Sequence, residues 1–255
     1  MLESLSSAFA AISLPQLALI AAMALVASVV GGVAGYGTGA LLPLVLVPIV
    51  GPEPVVPILS LSALFTNSSR MAAFRRLVDP RRAAIALAAA VPTCALGAWG
   101  YSQLSGRGAL IVIGGMLVAT VPLRRLMKAR GLKLCDRMLA AACFAWGPLA
   151  GGTVGAGILL LSLLMAAGLE GAAVVATDAA ISIGIGLTKL ATFGLAGAVT
   201  AQVVAVALLI GCVAFPGAFL AKALVDRMPV HLHTALLDAI VAVGGAVMIV
   251  NAFMR

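Results

Sequence analysis

The sequence predicts an all-α polytopic membrane protein. It is built of two homologous halves of four hydrophobic stretches each, eight to ten helical segments in all, with a glycine-broken helix in each half. Three observations predict this. Hydrophobic residues make up 63% of the 255 and charged residues only 9%, with a mean hydropathy of +1.21, whereas a soluble domain carries roughly 25% charged residues. Apolar runs that meet the requirement of about 20 residues for a bilayer crossing recur along the whole chain. Finally, two of these runs are interrupted in the same way, by Gly35-Tyr36-Gly37-Thr38-Gly39-Ala40-Leu41-Leu42 and by Gly151-Gly152-Thr153-Val154-Gly155-Ala156-Gly157-Ile158-Leu159-Leu160. Aligning Gly37 with Gly155 and Gly39 with Gly157 sets the copies 118 positions apart, nearly half the chain, which marks an internal duplication.

Taken in order, the apolar runs cover about 14–50, 54–74, 83–104, 108–123, 138–168, 171–193, 198–222 and 231–254. The first and fifth are too long for one crossing: each exceeds about 30 residues, or roughly 45 Å of helix against a core of about 30 Å. Each must be broken. Either eight crossings include a kinked or re-entrant segment in each half, or each long run splits into two helices and the chain has ten segments. Glycines free backbone N–H and C=O groups at the break, and these must be buried in protein or line a cavity.

Charge placement weighs the two topologies. The formal charge of +8 is concentrated in short loops, Arg75-Arg76-Leu77-Val78-Asp79-Pro80-Arg81-Arg82 and the stretch from Arg124 to Arg137. Both therefore belong in the cytoplasm, as topology signals and not as a nucleic-acid surface. Ten segments also bring Lys222 and Arg227 inside, and an odd count per half makes the repeats inverted, the arrangement expected here. The short charged linker makes residues 1–255 one transmembrane domain, with repeats of about 14–128 and 132–255.

Several classes are set aside. Cys94, Cys135, Cys143 and Cys212 show no metal-ligand or disulfide spacing, and no cofactor or metal is expected. No GxGD, no HExxH and no Ser paired with a His suggests an intramembrane enzyme. Met1-Leu2-Glu3-Ser4 lacks the positive start of a signal peptide, so the first apolar run is expected to be retained. Trp99, Tyr101 and Trp146 are expected to be interfacial anchors or packing residues.

The glycine break is followed by Leu41-Leu42-Pro43-Leu44, a Gly51-Pro52 turn and Ser60-Leu61-Ser62-Ala63-Leu64-Phe65-Thr66-Asn67; the second copy continues through Val174-Val175-Ala176-Thr177-Asp178. This duplicated order resembles the sulfite exporter TauE/SafE family of bacterial membrane permeases and covers most of the chain. It departs from the family where Gly37-Thr38-Gly39 and Gly155-Ala156-Gly157 replace three successive glycines, where Asp178 stands for a frequent Ser, and where Arg75-Arg76 replaces a frequent His. The resemblance implies a multi-pass protein of the bacterial inner membrane. It implies transport of small sulfur-containing or carboxylate anions, such as sulfite or organosulfonates, driven by an ion gradient of H+ or Na+. A passive anion channel and a carrier of another small metabolite are the alternatives.

The candidate substrate contacts follow from the needs of an anion in lipid. N–H groups freed at a helix N-terminus carry partial positive charge, which singles out Tyr36, Gly37, Thr38 and Gly39 with Thr153, Val154, Gly155 and Ala156. Interrupted hydrophobic segments at matching places in two halves point to the same residues. Arg70 and Lys189 align as basic residues at the same place in each half, and Asn67 lies a turn before Arg70. Ser62, Thr66 and Arg70 recur every fourth residue, and Asp178, Ser182 and Lys189 fall within an arc of about 40°, so each duplicated helix carries a polar stripe. Intramembrane ionisable residues are functional candidates, and Asp178 is the candidate for proton coupling. The competing readings are snorkelling of Arg70 and Lys189 to the headgroups, backbone bonding by the hydroxyls, and glycine for close helix packing.

Overall fold

In a computed structural model of the chain, the residues described are 12–34, 38–129, 133–217, 220, 246, 249–250 and 252–253. Among them the secondary structure is entirely helical. The α-helices are α1 (Leu14–Ala34), α2 (Thr38–Val50), α3 (Val55–Phe74), α4 (Pro80–Ser102), α5 (Gly106–Ala129), α6 (Asp136–Gly152), α7 (Gly157–Ala166), α8 (Ala172–Leu195) and α9 (Ala201–Ala214), with a 3-10 turn η1 (Arg75–Leu77) after α3. The second overlong run is therefore broken, between α6 and α7, while the first is covered by α1 and α2, which pack against each other; residues 35–37 between them lie outside the described residues. The last apolar run, about 231–254, lies almost wholly outside the described residues, as do Lys222, Arg227 and Arg130.

Among the described residues, α4 and α8 are both long and apolar enough to cross a bilayer; α2 and α7 are apolar but short, at 13 and 10 residues. At 1.5 Å per residue they reach only about 20 and 15 Å, half-membrane segments that follow the glycine breaks. Where the sequence predicts that the fourth run stops near 123, α5 continues through Arg124, Arg125 and Lys128 to Ala129. Basic residues suit a helix C-terminus, so the charged linker extends the helix instead of ending it.

Helix packing crosses the midpoint of the chain. α4 lies against α6 and α8, while α3 lies against α8 and α9. The α4–α6 contact is close because glycine stands where a side chain would collide. A Cβ on Gly147 would come within 2.7 Å of the Ala90 carbonyl oxygen, and one on Gly151 within 2.8 Å of the Ala98 nitrogen. Small residues bring helices together where lipid offers no hydrophobic drive. At the start of α4, Asp79 caps the helix by accepting from the Arg82 N–H at 3.0 Å and pairs with the Arg82 guanidinium at 2.7 Å. The Arg82 backbone N–H, foremost, holds the Asp79 carboxyl below the usual carboxylate range.

Two apolar clusters result. One draws mainly on α1, α2, α3, α5 and α9, among them Ile20, Leu42, Ile58, Leu117 and Ile210, with Ala98 and Tyr101 of α4 and Phe193 of α8; the other draws mainly on α4, α6, α7 and α8, among them Ala86, Leu139, Leu160 and Ile181, with Met116 of α5. Val154 belongs to the first cluster and Ala156 to the second. The second glycine break is one place where the two cores adjoin.

Candidate functional site

The break between α6 and α7 is assembled from residues far apart in sequence. α6 ends as Thr153 turns extended, and Gly155 takes φ +81°, a left-handed conformation that glycine adopts without a steric penalty. The carbonyls freed by this turn have partners. Lys189, on α8, donates from Nζ to the Ala150 oxygen at 2.9 Å and to the Thr153 oxygen at 3.1 Å. Trp146 donates its indole N–H to the Ala156 oxygen at 2.8 Å. The Thr153 hydroxyl and N–H both donate to the Leu149 oxygen. By contrast, no described residue accepts from the N–H groups of Val154, Gly155, Ala156 or Gly157. Among the described residues, the Ala150, Thr153 and Ala156 carbonyls are capped by side chains while the donors at the start of α7 have no acceptor, beside a buried ammonium.

The first break comes to the same place. A Cβ on Gly39, one residue into α2, would lie 3.0 Å from the Gly155 nitrogen. The backbones of the two interrupted segments are thus in near contact, with Gly39 opposite Gly155. The alignment of the copies pairs Gly39 with Gly157, so the contact is not between aligned positions. Thr38 opens α2 and is half-buried. Tyr36 and Gly37 lie outside the described residues.

A second polar cluster lies along α8. Arg70 Nη1 on α3 stands 3.6 Å from Asp178 Oδ2, with side chains 15% and 3% exposed. Arg70 Nη2 also donates to Asn67 Oδ1 one turn earlier. The other Asp178 oxygen, Oδ1, is buried and makes no hydrogen bond among the described residues. Next to it, the Thr177 hydroxyl accepts from the Asp79 N–H at 3.0 Å, tying the start of α4 to α8.

The structure brings together some of the expected residues and separates others. Gly39, Thr153, Val154, Gly155, Ala156 and Lys189 converge on the break; Asn67, Arg70 and Asp178 form the other cluster. Arg70 and Lys189, aligned as counterparts, are not neighbours: Lys189 is eleven residues beyond Asp178, or about 16 Å along α8. Both charges project from one stripe of α8, as the 100° periodicity requires. Lys189 is buried and turned to the α6 terminus, not toward a headgroup. Ser62 and Thr66 instead donate to the Leu59 and Ala63 carbonyls of their own helix.

Trp146, expected from the sequence to be an interfacial anchor or a packing residue, is buried at the site. An indole in a Gly/Ala-rich run near a break carries a donor that needs a buried acceptor, and that was the available signal. Tyr101 is likewise internal, donating to the Pro52 carbonyl at 2.6 Å, while Trp99 is exposed.

An all-helical, apolar chain with buried charges set at a helix break has the make-up of a membrane transport protein. Residues 20–250 match the family described as Sulfite exporter TauE/SafE, and the chain belongs to that family. It is therefore a membrane-integral transporter and not an enzyme. No curated protein and no solved structure matches it.

Proposed function

We propose that this chain is a secondary transporter, working as an exporter, of small sulfur-containing or carboxylate anions such as sulfite or organosulfonates. On this reading it is a multi-pass protein of the bacterial inner membrane with inverted halves, and alternating access operates at a site formed by the two glycine breaks. One observation carries the proposal: N–H donors at the start of α7 that have no acceptor among the described residues, the buried Lys189 ammonium and the Gly39 segment share one place. Donors without acceptors at a helix N-terminus favour an anion. Lys189 adds a full charge, and its two carbonyl partners offset its desolvation without neutralising it. Asp178 carries the coupling proton.

The test is counterflow in proteoliposomes. Preloaded unlabelled sulfite should accelerate entry of labelled sulfite, because only a site that alternates between faces exchanges one for one. Flux without acceleration is the behaviour of a passive channel and overturns the carrier reading. Competition by thiosulfate, methanesulfonate and small carboxylates then ranks the anions.

A further inference from the structure

The Arg70–Asp178 pair is a buried ion pair between α3 and α8, some three helical turns from the Lys189 site and on the same stripe of α8. An ion pair placed there has a consequence for an anion carrier, because an arginine already engaged by a carboxylate cannot also serve an incoming anion. We propose that transported anion and Asp178 compete for Arg70, so that an anion takes the guanidinium only as Asp178 takes up a proton on its unpartnered oxygen. The inference rests on the anion-carrier reading above and adds to it the coupling rule of one proton per anion.

The exchange balances. In the resting pair, the Asp178 carboxylate neutralises Arg70. In the loaded state the anion neutralises Arg70, and a proton from the aqueous phase converts Asp178 to the acid, forming one O–H bond and breaking none in the protein. For a monovalent anion such as methanesulfonate buried charge is conserved throughout, which matters because an unpaired charge in a low-dielectric interior costs several kcal/mol. Arg70 is placed for it: its side chain is 15% exposed, that of Asp178 only 3%, so the cation is the more accessible partner. Asp178 Oδ1, buried without a donor, is the position for the proton.

Among the described residues, Arg70 is the cation that stands beside Asp178. α8 packs against α3, α4, α6, α7 and η1. α3 presents Arg70. The N-cap of α4 brings Asp79, whose carboxylate is held by Arg82. α4 also carries Arg81, paired with Asp136 of α6 at 2.6 Å, together with the buried Cys94 and Tyr101. α6 further carries the exposed Arg137 and the buried Cys143, η1 carries the exposed Arg75 and Arg76, and α7 has no titratable side chain. On α8 itself Lys189 is engaged at the break.

The experiment measures binding of thiosulfate and methanesulfonate, anions that stay ionised near neutrality, to nanodisc-reconstituted protein between pH 6 and pH 8. Wild-type affinity should rise about tenfold per pH unit of acidification while Asp178 is ionised, the slope of one linked proton. Asp178→Asn should remove the slope and bind at pH 8 as tightly as wild type does at its acid limit, since residue 178 then no longer carries the negative charge that competes with the anion for Arg70. Arg70→Gln should lose affinity tenfold or more at every pH, with Arg70→Lys recovering part of it. Binding that is insensitive to pH in wild type, or weakened in Asp178→Asn, overturns the competition while leaving the carrier reading standing. Absence of binding by either anion at any pH overturns the carrier reading and the inference together. Should Asp178→Asn fail to fold, the wild-type pH slope alone decides.

Discussion

The ammonium of Lys189 lies 3.1 Å from the Thr153 carbonyl, so a charge on α8 holds the end of α6 and sets the shape of the glycine break. This bond ties structure to function in one residue. Lys189→Met keeps the stem and deletes three donors, leaving the Ala150 and Thr153 carbonyls buried without their cap. Each such group costs about 1–3 kcal/mol. The variant should unfold at a clearly lower temperature than wild type and bind sulfite at least tenfold more weakly. An unchanged melting temperature would show that the carbonyls find other donors.

Trp146→Phe separates ring from donor. The phenyl group retains most of the packing and loses the bond to the Ala156 oxygen, a change worth about 1–2 kcal/mol. Expected is a modest fall in thermal stability with a larger effect on transport than on yield, since Ala156 begins the α7 terminus. The matched readouts are a melting curve and initial uptake rate on one preparation.

The approach of the two breaks can be tested chemically. On a background without native cysteines, Gly39→Cys combined with Gly155→Cys should cross-link under mild oxidant, read as a mobility shift that a reductant reverses. The positions are near enough that a Cβ on Gly39 would sit 3.4 Å from the Gly155 Cα. Failure to cross-link in folded protein would place the breaks apart. Gly155→Val alone should abolish transport, because a β-branched residue is strained at positive φ.

The α4–α6 interface should tolerate little. Gly151→Leu forces a side chain into the Cys94 and Ala98 backbone, and overpacking of this kind costs about 1–3 kcal/mol or more. Aggregated or poorly recovered protein is the expected outcome, whereas Gly100→Leu, where a Cβ meets nothing within 4 Å, should be recovered normally.

Orientation follows from the basic loops. A single cysteine at Val78, in the turn after η1, should resist an impermeant thiol reagent on intact cells and react once the membrane is opened. Strong labelling from outside would reverse the proposed topology.

The broken runs, the helical class and the family were legible in the sequence because they depend on local quantities: apolar length set against bilayer thickness, and glycine density set against the cost of unsatisfied backbone groups. Residues 153–156 could be singled out on the same ground. The positions of the charges relative to one another could not. Counting along the chain makes Arg70 and Lys189 equivalent, yet α8 carries Asp178 to Arg70 and Lys189 to the α6 terminus, so one cation is paired and the other caps carbonyls. Likewise, Trp146 reads as an anchor or a packing residue until the Ala156 carbonyl, at the N-cap of α7, is found to accept from the indole. The sequence by itself determined which segments are helical and where they must break. Only the tertiary structure decided which buried donor meets which acceptor, because that depends on the rotation and crossing of helices dozens of residues apart, which no local pattern encodes.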